Sequence, residues 1–207
     1  MSFIVLNNND MKFIHRFYPD LKIDLENKLI YGNVKFVRMY NEIKISDSYQ
    51  ISIDYNFDFP TVKSLDNKIE NLANHLKIPI TNLHINPDKS FCLAIQPRME
   101  ECFTNGIFNW KEFFANCLEP FLYAQSYFYK FKKFPWGEYS HSHLGYIELF
   151  EENRISLNDI PEIYRQNIIS LITRTDKKCI CGSSKDFSKC HSKIYKSIRK
   201  IKKLISF

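Results

Sequence analysis

The hydrophobic pattern of this chain changes period near residue 92, and that change limits the fold more than any single motif does. Before it, "LIYGNVKFVRMY" (29–40) and "SYQISIDYNFDFP" (48–60) are rich in β-branched and aromatic residues and partly alternate, as strands with one covered face do. Polar, turn-like segments separate them, so they read as consecutive antiparallel strands. The second is closed by Pro60, which has no N–H to give a ladder. After residue 92, "NWKEFFANCLEPFLYAQSYFYKF" sets Trp110, Phe113, Phe114, Cys117, Leu118, Phe121 and Leu122 at helical intervals. A stripe that wide must be covered, most economically by the sheet, and Pro120 should kink this helix or begin a second one. Leu65, Ile69, Leu72 and Leu76 suggest a short helix between the two regions. "NDIPEIYRQNIISLITRT" repeats the helical pattern, with Asn158 or Asp159 as cap, Pro161 in the first turn, and Ile160, Tyr164, Ile168, Leu171 and Ile172 on one face. The expectation is an α+β body over residues 1–155, a connector helix at 156–176 and a small module at 177–207.

A chain of 207 residues with 44% hydrophobic content can bury a core without disulfides. No run approaches the roughly 18 apolar residues of a membrane span, and "MSFIVLNNNDMK" lacks the basic start and long apolar centre of a signal peptide. A cytoplasmic protein is expected. Charge is uneven: residues 177–207 hold ten Lys or Arg and one acid, so the net +6 is a tail of +9 on a body of −3. Attraction to an acidic partner surface belongs to that tail. Its segment "SKIYKSIRKIKKLISF" places Ile194, Ile198, Ile201 and Leu204 or Ile205 on one face, a basic amphipathic pattern that suits a membrane, a nucleic acid or the module's own surface.

The six cysteines divide into Cys92, Cys102 and Cys117, which are scattered, and Cys179, Cys181 and Cys190, which cluster beside His191. Cys117 lies on the apolar helical stripe and reads as core. Three thiolates and one imidazole are the complement of a closed tetrahedral zinc site, with Zn–S about 2.3 Å and Zn–N about 2.0 Å, and Gly182 permits a tight knuckle after the second thiolate. The pattern C-x-C, eight residues, then C-H resembles the SEC-C zinc motif. That resemblance implies a structural zinc held by Cys179, Cys181, Cys190 and His191, in a module that docks partners and has no catalytic role.

In "LHINPDKSFCLAIQP" (83–97), Cys92 follows a polar turn carrying His84, Asn86 and Asp88. By itself the stretch favours a small core residue between Phe91 and Leu93. A reactive thiol would need a base, a positive charge or hydrogen-bond donors nearby, and an Asn amide can donate to a developing oxyanion. A strand meander, a loop with "HINPDKSFCL" and aromatic helices behind it resemble ubiquitin-conjugating enzymes. "YNFDFP" looks like their proline-marked strand end. "FLYAQSYFYKFKKFPWGEYSHSHLGYIELFEE" resembles the shortened prokaryotic members encoded in antiphage operons. The likeness covers roughly residues 15–152. It departs from the family in that His84, Asn86 and Cys92 are spaced two residues tighter, Pro87 follows the Asn, and Lys89 and Ser90 stand where a glycine is usual.

The resemblance implies a four-strand antiparallel meander with helices packed on it. It also implies a transferase that carries a protein C-terminus as a thioester on Cys92, with Asn86 and His84 beside it. Partners would be a protein modifier or substrate, among them a nucleotide second-messenger synthase, and a separate adenylating enzyme. His141 and His143 in "WGEYSHSHLG", two residues apart, face the same way if extended. They would supply half a metal site or a base near Cys92, or be satisfied loop structure. A cysteine protease pairing Cys92 with one of them is the other enzymatic expectation. A catalytically inactive adaptor, acting through the zinc module and basic tail, is the non-enzymatic one.

Overall fold

The computed structural model describes residues 4–137, 139, 143–153, 160–173, 177–179, 185–192 and 195–196, and divides into two compact units, Met1–Gly137 and Glu138–Phe207. The first unit is the expected α+β fold. It runs α1 (Asn8–Phe17), β1 (Leu21–Asp24), β2 (Leu29–Tyr40), β3 (Ile43–Asp54), β4 (Thr61–Ser64), α2 (Lys68–Leu76), α3 (Gln96–Glu100), β5 (Phe103–Thr104), β6 (Ile107–Phe108), α4 (Trp110–Phe113) and α5 (Glu119–Phe131). The sheet is an antiparallel meander in the order β1-β2-β3-β4.

β2 and β3 pair over their whole length, from Leu29↔Asp54 to Tyr40↔Ile43. Alternation sends Ile30, Val34 and Phe36 of β2 and Ile45, Tyr49, Ile51 and Ile53 of β3 to the covered face, all buried. Against them lies the aromatic stripe of the long helix, where Trp110, Phe113, Phe114, Leu118, Leu122 and Tyr123 are inaccessible to solvent. β3 begins earlier than the alternation suggested and ends at Asp54, not at Pro60. The Asp54 carboxylate accepts the Asn56 N–H at 3.0 Å, a side-chain turn that replaces the next ladder bond. α2 starts at Lys68, so Leu65 is left 56% exposed and outside it.

The proline in the long helix acts as expected, with a compensation. A π turn, Phe114–Leu118, joins α4 to α5, and the Glu119 N–H reaches back five residues to the Phe114 carbonyl. Pro120 has no N–H to offer the next carbonyl. That carbonyl, Ala115 O, is taken instead by Arg38 Nη1 at 2.9 Å, and Arg38 also binds Glu119 Oε2 at 3.2 Å. The Tyr18 hydroxyl donates to the other Glu119 oxygen at 2.8 Å. Burial, and then this hydrogen bond, push the Tyr18 phenol far above its ordinary value, so it remains a donor.

Asp47 falls on the inward row of β3, where a carboxylate is costly unless paired. Lys68 Nζ at 2.6 Å, Ser126 Oγ at 2.6 Å and the Ser48 N–H at 2.8 Å all donate to it, and the Tyr49 hydroxyl lies 2.9 Å from Ser126 Oγ. Burial alone would raise the Asp47 carboxyl. The bonds from Lys68, Ser126 and Ser48 outweigh it, and the group is held below its ordinary value. A carboxyl depressed in the folded state adds stability that is complete above its unfolded pKa and is lost as pH falls through the folded value. Asp47→Asn is therefore expected to lower the urea midpoint at neutral pH, and the difference from the parent should shrink below about pH 4. Urea titrations of both proteins from pH 7 downward measure it; a difference independent of pH would refute the assignment.

In the second unit, α6 (His143–Glu152) pairs with α7 (Glu162–Thr173). α7 begins just after Pro161, and Ile160, Tyr164 and Ile168 are buried as their spacing predicted. Tyr164 packs on Tyr146 at 5.0 Å and on Phe150 at 6.0 Å between ring centroids. The expected caps Asn158 and Asp159, and the tail beyond residue 196, lie outside the described residues. No helix among the described residues is long and apolar enough to cross a membrane.

Candidate functional site

Cys92 sits on a short hairpin built from the 3-10 turn Ile80–Leu83 onward. His84 takes a left-handed conformation, φ 56, that reverses the chain out of the turn. Ile85 then bridges Phe91 in antiparallel fashion. On one side of this rung the Asn86 N–H donates to Ser90 O at 2.8 Å, and on the other the Cys92 N–H donates to His84 O at 2.8 Å. The tip closes with Lys89 at φ 67, its N–H on Asn86 O at 2.9 Å. Here a lysine occupies the left-handed position that glycine fills most easily.

Two contacts dock the hairpin on the meander. The Phe91 N–H donates to Val62 O of β4 at 2.8 Å, and Ser90 bridges Lys63. Ile85 and Phe91 point into the core, where Phe91 stacks on Phe121 with centroids 4.7 Å apart. Gln125 of α5, itself buried, donates from Nε2 to Leu83 O at 2.8 Å and ties the root of the hairpin to the helix. Cys92, one residue beyond Phe91, is a half-buried free thiol.

His84 and Cys92 therefore face each other across the hairpin, and the His84 ring lies 5.2 Å from that of Phe134. Asn86 stands two residues further along, and its amide donates to Ser90 Oγ at 3.0 Å. Ser90 in turn donates to the Asp88 carboxylate from Oγ at 2.6 Å and from N at 3.1 Å. Those two bonds, side chain first, hold the Asp88 carboxyl below its usual value, with Lys63 3.7 Å away adding to the effect. Just past the thiol, the peptide N–H groups of Leu93 and Ala94 have no acceptor among the described residues. They are the donors nearest in sequence to Cys92 that the hairpin leaves uncommitted.

The second candidate site is a metal-ligand group at the far end of the chain. Lys178 bridges Asp186, the Cys179 N–H donates to Lys185 O at 2.8 Å, and the Phe187 N–H donates to Lys177 O at 2.8 Å. This small knuckle leads into α8 (Phe187–Cys190), so Cys179 comes from one arm and Cys190 and His191 from the other. The ligand atoms of Cys179, Cys190 and His191 all lie within 4.8 Å of one another, and Cys179 Sγ is 3.0 Å from His191 Nδ1. Two sulfurs and an imidazole nitrogen gathered around a buried Cys179 suit a thiophilic cation. Cys181, the fourth expected ligand, lies outside the described residues, as does His141. His143 opens α6, and its side chain also falls outside them.

Comparison with known protein families, with curated proteins and with solved structures returns no match to this chain. The α+β meander and the Cys/Cys/His group therefore stand on the geometry above. Sequence reading overlooks Gln125, which carries no signal beyond being polar on an apolar helical stripe. It also overlooks the "NG" dipeptide Asn105-Gly106, whose positive φ values of 52 and 77 make the tight turn between β5 and β6.

Proposed function

We propose that the first unit is a ubiquitin-conjugating-like acyl carrier, with Cys92 as its nucleophile. The reading is carried by one observation: a half-buried free thiol is fixed by its own backbone bond to His84 and followed by two uncommitted N–H groups. In this chemistry the Cys92 thiolate attacks an activated C-terminal carbonyl. The C–S bond forms, the activating group leaves, and an amine later displaces the sulfur. The tetrahedral oxyanion needs donors. The Leu93 and Ala94 N–H groups, which follow the cysteine directly in sequence, would fill that role while the Asn86 amide stays on Ser90. His84, paired with Cys92 across the hairpin by its backbone, is the candidate base. The second unit supplies recruitment: zinc held by Cys179, Cys190 and His191 with Cys181 as fourth ligand, in a docking module of the SEC-C kind. A nucleotide second-messenger synthase is the partner class that the antiphage resemblance suggests, with a separate adenylating enzyme loading Cys92.

One observation favours the second reading, an inactive adaptor. The Asn86 amide is already engaged by Ser90. Intact-mass measurement of the full chain recovered from cells separates the two. The parent should carry an adduct that free thiols release, Cys92→Ser the same adduct in thiol-resistant form, and Cys92→Ala none. If all three proteins are recovered unmodified, the carrier reading fails and the adaptor reading takes its place.

A further inference from the structure

The other two cysteines of the first unit meet in its core. Cys102, between α3 and β5, and Cys117, in the π turn, are both buried, with their sulfurs 3.5 Å apart. They are independent of the Cys92 hairpin. The local structure turns each toward the other. The Asn109 N–H donates to Cys102 O at 2.8 Å, closing the base of the β5–β6 hairpin behind Cys102. The π turn adds a residue to the helical circuit and widens it at Cys117. Two thiols in contact across a closed segment make a dithiol, which differs chemically from either thiol alone.

We propose that Cys102 and Cys117 form a reversible oxidation site, converted to an intrachain disulfide by a small hydroperoxide. The sulfurs must close by about 1.5 Å to reach bonding distance. In the first step the Cys102 thiolate attacks one peroxide oxygen. The O–O bond breaks, Cys102 becomes a sulfenic acid, and the departing hydroxide leaves as water with a proton. In the second, the Cys117 sulfur attacks the Cys102 sulfur. The S–S bond forms, the S–O bond breaks, and the leaving hydroxide takes the Cys117 proton as a second water. Two thiols lose two electrons in all, and one peroxide gains them.

The order of attack follows from the contact. A hydrogen bond from the Cys117 thiol favours the Cys102 thiolate and lowers its pKa, against opposing effects of burial, Glu112 and Glu101. Donating that bond, together with burial, pushes the Cys117 thiol far up. Burial also sets selectivity. Bulky thiol reagents are held off, while a hydroperoxide of two heavy atoms needs only a small opening of the β5–β6 hairpin, whose tip at Asn105 to Ile107 is exposed.

Trypsin makes the test direct, because Lys111 separates the two cysteines: Cys102 falls in fragment 99–111 and Cys117 in fragment 112–130. The reduced full chain is treated with hydrogen peroxide, unfolded in urea with N-ethylmaleimide present to block the remaining thiols, and digested without reductant. The expected product is the two fragments joined, two hydrogens lighter than their sum, and separated again by dithiothreitol. In Cys117→Ser the joined product should vanish, and unfolding the oxidised chain in urea with dimedone present should leave a dimedone adduct on Cys102. If the fragments of the parent remain separate while Cys92 is oxidised, the pair is a packing contact only and the proposal falls. It falls equally if Cys102 is found joined to Cys92.

Discussion

Cys190→Ser is expected to strip the metal from the second unit and unfold its terminal knuckle. Among the described residues from 177 onward only Cys179 is buried, so apolar packing contributes little to that segment. A metal held by the ligand atoms that converge within 4.8 Å would replace it. When a closed thiolate site is the core, the free energy of binding is the free energy of folding, about 10–16 kcal/mol for structural zinc near neutral pH. A serine hydroxyl replaces a thiolate poorly, so the loss should be nearly complete. Atomic emission should find about one metal per parent chain and close to none in the variant. Amide hydrogen exchange should show loss of protection around Cys179 and Phe187 and no change in β2 and β3. An excess of chelator should reproduce the pattern in the parent. Unchanged protection after either treatment would mean that the knuckle folds without metal.

The second large effect is expected in the first unit, at Gly32. This residue pairs with Leu21 where β1 begins, and its φ of +136 lies in a region that side-chain-bearing residues rarely enter. A Cβ there would stand 2.3 Å from Asp20 O and 3.2 Å from Leu21 Cα, both backbone atoms with no rotamer to yield. Gly32→Ala must move β1 or flip the peptide, and either breaks the Leu21↔Gly32 pairing. Backbone strain and overpacking of this kind cost about 2–5 kcal/mol together. Gly106→Ala is the control, since Gly106 also has positive φ, +77, but no atom within 4 Å of a built Cβ. It should cost about 1 kcal/mol from the left-handed conformation alone. Urea midpoints of the two variants separate the clash from the dihedral, and equal losses would argue against the clash.

The sheet and the long helix are legible because their apolar periods, two and then near 3.6, are properties of the bare sequence. β2 can be read to its terminal residues from its β-branched and aromatic content, although the turn formers Gly32 and Asn33 interrupt its alternation. β3 departs from its expected bounds at both ends. Its first residues are polar on the open face, and its stop is written in the Asp54 side chain rather than in Pro60. α1 escapes a reading by periodicity although Asn7 and Asp10 form a reciprocal cap around its first turn. Its apolar residues Met11, Phe13, Ile14 and Phe17 are helically spaced but confined to about two turns, too short a run to stand out. The metal group is legible because ligand chemistry and spacing travel together. The Cys102–Cys117 contact is not, since it depends on a π turn that local sequence signals only by Pro120, after the fact. The Asp47 network is hidden for a similar reason, because an acid within a strand looks like an exposed residue until the register places it inward.

If Cys92 carries a protein C-terminus as proposed, the hairpin that holds it also limits how a flexible chain end could approach. An uncovered outer strand would present peptide groups as a template on which an incoming tail could lie as one more strand. On β4 that template is already filled, with Val62 O and the Lys63 rung given to Phe91 and Ser90. A tail arriving from that flank would gain no main-chain ladder there and would have to be gripped by side chains around its last few residues. On the proposed carrier reading, recognition would then weigh the terminal residues of a donor heavily and its preceding sequence lightly, and the same two contacts oppose sheet extension between copies along this border.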